Sequence, residues 1–295
     1  MSDVSSRQET YPLSVVIATL GGSVLSGTIA QLNRGTFIPA EILICIPEEQ
    51  SSRIEDLPFA NVRVIKTDCR GQVAQRAVGF QQASHSLVLQ LDDDILVRAT
   101  CVQEMVACIM EFGDVAVCPK FYDAKTGKYH SFMTPVAGRK SWFEKLLFWV
   151  INGSRGYEPG RIGRAGICMG LPEEPGNWID LGWLPGGCVL HRRKNLVLFC
   201  FYPFQGKAFA EDLFHSVLLK QKGIRLMRCG PAICDVDFSL NAVFDPIGVV
   251  KWYLAYTKAL KGLVAEIGGS LICLYLYLFL NFIGHVGRKI FSAKS

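Results

Sequence analysis

The chain has 295 residues, of which 50% are hydrophobic before its 28 glycines are counted, and its mean hydropathy is +0.25. That length suffices for one large domain or two smaller ones, and the apolar balance is high for a freely soluble protein, so contact with a membrane is expected. The formal net charge of +5 comes without a long basic block, which gives nucleic acid no electrostatic footprint.

The eleven cysteines form no CxxC pair and show no zinc spacing, and most lie in apolar runs. They are expected as reduced core residues in a cytosolic setting. Residues 1–11 are polar, include Asp3 and Glu9, lack an apolar core and are expected as a short disordered lead rather than a secretory signal.

Leu13 to Ala18 is a β-branched run ending in Thr19-Leu20-Gly21-Gly22, followed by a helical pattern through Leu25, Ile29 and Leu32 that stops at Gly35. Glu41 to Ile46 is a second apolar strand, and strand, helix, strand implies a parallel pair. Val62 to Ile65 predicts a third strand. Gly71 opens a helix with Val73, Ala77 and Phe80, and Leu87 to Leu91 is the central strand.

That strand stops at three adjacent carboxylates, Asp92, Asp93 and Asp94. Alternation along an extended segment points Asp92 and Asp94 one way and Asp93 the other. Two like-facing carboxylates repel unless both are solvated in a turn or a hard cation such as Mg²⁺ or Mn²⁺ lies between them. A further helix through Val102, Val106 and Ile109 ends at Gly113, and Val115 to Cys118 is another strand. Residues 12–120 are thus an α/β unit with a mostly parallel sheet. Ligands bind such sheets beyond the carboxyl ends of the strands, where Thr19, Glu48, Asp68 and the acidic triplet all fall.

Residues 121–242 carry an irregular, glycine-rich stretch to Leu184, expected as a mobile region over a site. It is interrupted by the aromatic helix Trp142 to Trp149, either a core helix or one at a membrane surface. Trp183 to Leu190 predicts a strand containing Gly186 and Gly187, a pair that permits close approach of a ligand or serves as a tight turn. Phe209 to Gly223 predicts a helix with Leu213, Val217 and Leu218 buried and with Glu211 and Asp212 in its first turn, where the helix dipole alone would favour acids.

Residues 243–295 form the tail. Val249, Val250, Trp252, Tyr253, Tyr256, Leu260 and Leu263 alternate with Lys251, Lys258 and Lys261, as suits an interfacial helix. Ile267 to Val286 carries no Asp, Glu, Lys or Arg, so it is long enough to span a bilayer or to lie on or re-enter it.

In order along the chain, the VVIAT strand, Asp68-Cys69-Arg70-Gly71 with Arg76, VLQLDDD, GGCVLHR and Glu211-Asp212 resemble the family 2 glycosyltransferases. The resemblance covers Pro12 to Asp237. It implies the GT-A fold, a Rossmann-like, mostly parallel sheet flanked by helices, here with C-terminal membrane-associated helices. It further implies inverting transfer of a single sugar from a nucleotide-sugar, with Mg²⁺ or Mn²⁺ as cofactor.

By that resemblance Thr19 and Glu48 border the nucleobase, Asp68, Gly71 and Arg76 hold nucleoside and diphosphate, and Asp92 and Asp93 lie near ribose and phosphates. Asp94 with Asp92 would contact the metal, and Gly186 and Gly187 would flank donor sugar and acceptor. Asp212, beside Glu211, would be the general base. Two features depart from the family pattern: the second strand ends in Ile46-Pro47-Glu48, and no Gln-x-x-Arg-Trp occurs, against a processive polysaccharide synthase. Asp235 and Asp237 stand where some relatives place a metal-binding His, though an acidic strand end explains them as well.

The implied partners are a nucleotide-sugar, a glycan or lipid-linked acceptor and membrane lipid, with the catalytic domain cytoplasmic and no nucleic acid. The rivals are a sugar nucleotidyltransferase and a catalytically inactive membrane scaffold. Against the first stands the lack of Lys or Arg in the loop after the first strand.

Overall fold

The computed structural model describes residues 10–55, 57–132, 142–173, 178–204, 208–238 and 246–292. The expected lead lies outside them up to residue 9, as do parts of the glycine-rich region, at 133–141 and 174–177. Thr10 and Tyr11 already belong to the first strand, and Tyr11 stacks on Phe37 at 4.1 Å.

The first half follows its hydrophobic pattern. Strands β1 (Thr10–Ala18), β2 (Ile38–Pro47), β3 (Val62–Thr67) and β4 (Leu87–Leu91) are parallel in the order β3-β2-β1-β4. Between them run helices α1 (Val24–Leu32) and α2 (Gln72–Gln82). Every residue of β4 is buried, which explains its uninterrupted apolar character apart from Gln90.

Beyond β4 the sheet changes direction. A short β5 (Ile95–Val97) and helix α3 (Cys101–Phe112) lead to β6 (Val115–Asp123), which does not join β4. After α4 (Trp142–Asn152) and β7 (Trp178–Leu181), β8 (Cys188–Arg192) pairs antiparallel with β4 on one side and β6 on the other. Helix α5 (Glu211–Gln221) leads to β9 (Arg225–Val236), parallel to β6 and antiparallel to β5 and β7. The parallel character is thus concentrated in the first four strands, and one sheet runs unbroken past residue 120. The predicted strand from Trp183 is shorter than expected, because Gly186 and Gly187 form a turn and pairing begins at Cys188.

Helix α5 buries Leu213, Phe214, His215, Ser216 and Leu219, whereas Val217 and Leu218 are only half-buried. Helix α2 packs against β1 and β2 through Gly79, where a Cβ would lie 2.5 Å from Val16 Cγ1 and 2.6 Å from Cys45 Sγ. All eleven cysteines are free; eight are buried as expected, whereas Cys69 and Cys168 are half-buried and Cys200 is exposed.

The tail is a pair of helices, α6 (Pro246–Glu266) and α7 (Leu271–Ser292), with Gly268 in the left-handed region at φ 62° between them. The uncharged run from Ile267 is broken by that turn. Gly269 lies so close to Arg164 that a Cβ would sit 2.4 Å from the Arg164 carbonyl oxygen. Among the described residues no helix is long and apolar enough to cross a membrane.

Replacing Gly79 tests whether α2 depends on this close approach. Gly79→Val is expected to lower the unfolding free energy by at least about 2 kcal/mol through overpacking, seen as a lower urea midpoint at unchanged slope.

Candidate active site

The chain order β1, β2, β3 and then β4 on the opposite side of β1 creates a topological switch between β1 and β4, the crevice where open α/β sheets bind ligands. Thr19 at the end of β1 and Asp93 just past β4 close it with a hydrogen bond from the Thr19 hydroxyl to the Asp93 carboxylate. The Thr28 hydroxyl donates to the Asp93 carbonyl at 2.8 Å.

Asp92 and Asp94 line one cavity of about 360 Å³, while Asp93 lines a neighbouring cleft of about 1040 Å³. The strand ends at Leu91 and the triplet runs into a turn, the alternative reading of these carboxylates, yet Asp92 and Asp94 still face one space and Asp93 the other. Gln72 and Ala208 line both spaces, so the two adjoin.

The larger cleft is bounded by Thr19, Gly21, Arg70, Gly71 and Gln75 on the sheet side and by Tyr202 and Phe204 opposite. Gly71 enters α2 at φ 129°, a backbone conformation that glycine accepts without strain. Gln75 ties the mouth together: its side-chain N–H groups donate to the Thr19 and Cys45 carbonyls, each at 2.8 Å, and its oxygen accepts from Gly71 N–H at 3.1 Å.

The smaller cavity brings together five carboxylates, Asp92, Asp94, Glu211, Asp212 and Asp237, with no Lys or Arg among its lining residues. Behind it lies Arg76, only 3% exposed. Its guanidinium donates to Glu211 Oε1 at 2.7 Å and to Asp92 Oδ1 at 2.5 Å, and Gln72 donates to the same Asp92 oxygen at 2.8 Å. The buried Glu211 and the half-buried Asp92 are held near each other by this counter-charge.

Gly186 and Gly187 supply the cavity wall. A Cβ on Gly186 would fall 2.7 Å from Glu211 Oε1, and one on Gly187 would fall 2.6 Å from Ile95 Cδ1 and 3.1 Å from Asp92 Oδ2. The Gly186 carbonyl accepts from Gln90, and the Gly187 carbonyl accepts from Asp92 N–H at 2.8 Å. The glycine pair is therefore both a turn and a close approach.

Asp212 opens α5 behind Ala210, whose φ of 55° puts it in the left-handed region. Asp212 Oδ1 accepts Leu213 N–H at 2.9 Å. Burial, with the Glu211 charge next to it, pushes its carboxyl up to about 7. Burial foremost also raises Asp92, Asp93 and Asp94; neighbouring carboxylate charges add to it.

The other sequence candidates fall outside this cluster. Arg76 is enclosed between Asp92 and Glu211 and does not line the larger cleft. Glu48 is exposed at the start of a short helical turn and pairs with Lys66 at 3.6 Å, and Asp68 is exposed after β3; neither lines either space. Asp235 is held on β9 by both guanidinium nitrogens of Arg98 at 2.8 Å, while Asp237 lines the smaller cavity and lies 3.1 Å from Lys125.

Residues without a sequence signal complete the walls, among them Phe132, Pro185 and Phe238 of the smaller cavity. Gln90 did leave a signal, as the single polar residue inside an otherwise apolar buried strand. Among the described residues no three His, Cys, Asp or Glu side chains already converge as a metal site.

Removal of the shared counter-charge should be severe. Arg76→Met is expected to cost about 3–5 kcal/mol at neutral pH, and Glu211→Gln in the same chain to recover part of it, both read by chemical denaturation.

Residues 48–168 match the family model described as Glycosyl transferase family 2. No curated protein sequence matches the chain. Among solved structures, a crystal structure of GalNAc-T7 with UDP, GalNAc and Mn²⁺ aligns at TM-score 0.54 and 19% identity, covering 83% of this chain and 48% of that one. The chain thus spans about half the length of that neighbour. The S. aureus TarS 1–349 complex with UDP-GlcNAc aligns at TM-score 0.49 and 14% identity, over 92% of this chain and 73% of that one. Identities this low speak to the fold alone. The matched segment includes α2 with Arg76, β4 and the acidic triplet; over it the chain is similar to glycosyl transferase family 2, and the chain shares its fold with the GalNAc-T7 structure.

Proposed function

We propose that this protein is a divalent-metal-dependent, inverting glycosyltransferase. It moves a single hexose from a nucleoside-diphosphate sugar to a hydroxyl of a glycan or lipid-linked acceptor, as a membrane-associated enzyme with its catalytic domain in the cytoplasm. The observation that carries the reading is that Asp212 lines the same cavity as Asp92 and Asp94, with burial and the Glu211 charge pushing its carboxyl up to about 7.

Inversion requires the acceptor hydroxyl to attack the anomeric carbon from the face opposite the departing diphosphate. A carboxylate must take the hydroxyl proton, and a base poised near the working pH does so best. With Oδ1 of Asp212 fixed by Leu213 N–H, the other oxygen is left for the acceptor. Glu211, bound to Arg76, anchors the first turn of α5 and so the direction of that oxygen.

The cleft lined by Thr19, Arg70, Gly71 and Gln75 suits the nucleoside end of the donor, with the sugar passing Gln72 into the smaller cavity. Five carboxylates around a cavity without a lining cation leave an excess of negative charge that a hard ion would relieve. Asp94 is the main candidate ligand, because it forms no ion pair with a Lys or Arg among the described residues and Asp92 spends one oxygen on Arg76. Bound there, Mg²⁺ or Mn²⁺ would neutralise charge developing on the diphosphate. The neighbour solved with UDP and Mn²⁺ supports this donor class.

Calorimetric titration with UDP, GDP, CDP and dTDP is expected to find one nucleoside diphosphate bound in the presence of Mn²⁺, with binding lost in Asp94→Ala. Preference for nucleoside triphosphates would instead indicate nucleotidyl transfer, and no binding at all would indicate a scaffold.

Asp212→Asn is expected to leave nucleotide binding intact and to reduce transfer by about 10²–10⁴-fold. The wild-type rate should fall as pH drops through about 7, because the proton-accepting form of Asp212 is then lost. The stability effect has the opposite sign to that of an ordinary paired Asp. Between the usual carboxyl range and about 7 the folded state binds the extra proton, so Asp212 costs stability as pH rises across that window. Asp212→Asn should accordingly raise the melting temperature at pH 8 while lowering transfer.

A further inference from the structure

From Leu271 to Leu280 helix α7 is apolar all round, which is normal for a helix buried on every side and abnormal for one at a protein surface. Its residues Cys273, Leu274 and Leu278 are buried, and it packs along α4. Yet Leu271, Ile272, Tyr275, Leu276, Phe279, Phe282 and Ile283 are exposed, Ile272 by 73% and Phe282 by 63%. At 3.6 residues per turn these fall on one side of the helix.

Neighbouring elements extend that surface with side chains of amphipathic type. Trp142 and Trp149 of α4 are exposed, as are Val250, Trp252, Tyr253 and Leu254 in the first half of α6. Lys145, Lys251, Lys258 and Lys261 on the same two helices are exposed as well. Exposed Trp and Tyr with lysines beside an apolar stripe is the composition of a helix lying in a bilayer interface.

Charge distinguishes a lipid surface from other occupants. Residues 246–295 contain six Lys and Arg and a single acid, Glu266, so the entire formal charge of +5 resides there and residues 1–245 are balanced. A second copy of the same positive, apolar face would meet like charge, whereas an anionic leaflet meets opposite charge.

We infer that α4, α6 and α7 form a monotopic docking surface for anionic lipid, with the α6–α7 pair lying in the plane of the leaflet. Spanning is incompatible with the packing, since one side of α7 is committed to the protein body along Cys273, Leu274 and Leu278. The surface also reaches the catalytic groups. Phe209, next to Ala210 at the start of α5, contacts the rings of Trp252 and Tyr256, and Lys258 lies 5.2 Å over the ring of Phe204, which lines the nucleotide cleft. An acceptor hydroxyl carried on a lipid headgroup would therefore arrive beside Asp212. The docking itself rests on no part of the transfer chemistry.

The test is flotation of the full chain with preformed vesicles of phosphatidylcholine, with and without phosphatidylglycerol. Binding is expected with the anionic vesicles and should weaken with salt. It should fall about 100-fold when Lys251, Lys258 and Lys261 are all changed to Gln, at about fivefold for each lysine near an anionic surface. Ile272→Glu with Phe279→Glu, both at exposed positions, should abolish flotation while leaving nucleoside diphosphate binding and the melting temperature unchanged.

Equal binding to both vesicle types, or no binding to either, would overturn the inference. So would a lipid-free dimer that the Glu variants dissociate, which would make a second copy the occupant, and so would resistance to alkaline carbonate extraction, which would indicate a spanning helix. Flotation without any nucleotide binding would retain the docking surface and remove the transferase reading.

Discussion

The structure depends on one buried guanidinium. Arg76 joins Asp92, just past the central strand, to Glu211, at the start of α5 and 135 residues along the chain from Arg76 itself. Neither carboxylate could be held against the other in the interior without it, because desolvation and mutual repulsion both oppose the charged forms. Much of the acidic side of the smaller cavity is positioned by this ion triad. Asp212 follows Glu211 on the same helical turn, Gly186 closes on Glu211, and Gly187 closes on Asp92. A side chain at either glycine would push the triad apart.

Sheet topology makes the triad useful. The crevice between β1 and β4 opens because the chain winds one way through β2 and β3 and then returns to the far side of β1. On the other flank of β4, antiparallel β8 delivers the glycine turn directly against Asp92. Splitting the acidic triplet between two spaces separates its tasks: Asp93 is spent on Thr19 to hold the crevice shut at its base, leaving Asp92 and Asp94 on the cavity side.

The same side chains connect this centre to the tail. α6 packs on α5, and Gly262 admits Phe204 and Phe214 so closely that a Cβ there would lie 3.0 Å from the Phe204 ring. The rings of Phe209, Trp252 and Tyr256 join the left-handed entry to α5 with the exposed half of α6. The surface chemistry of the tail and the acid-base chemistry of the cavity are therefore neighbours in space, although Asp92 and Trp252 stand far apart in sequence.

The sequence by itself determined the local structure of the first half. Continuous apolar runs marked β1, β2 and β4, and a 3.6-residue period marked α1 to α3; Asp93 does face away from Asp92 and Asp94, but through the turn that follows β4. The apolar, basic character of the tail was equally legible, because hydropathy and charge are properties of composition. What only the tertiary structure decided was which charges meet. Arg76 stood among candidates for the diphosphate, and its enclosure by Asp92 and Glu211 follows from long-range pairing that no local spacing encodes. The same holds for Asp237 lining the cavity while Asp235 is spent on Arg98, and for Gly268 breaking the long uncharged run into two helices packed on the body. Local pattern reports the conformation of each segment; burial, and with it the pKa of Asp212, is set by what the rest of the chain brings against it.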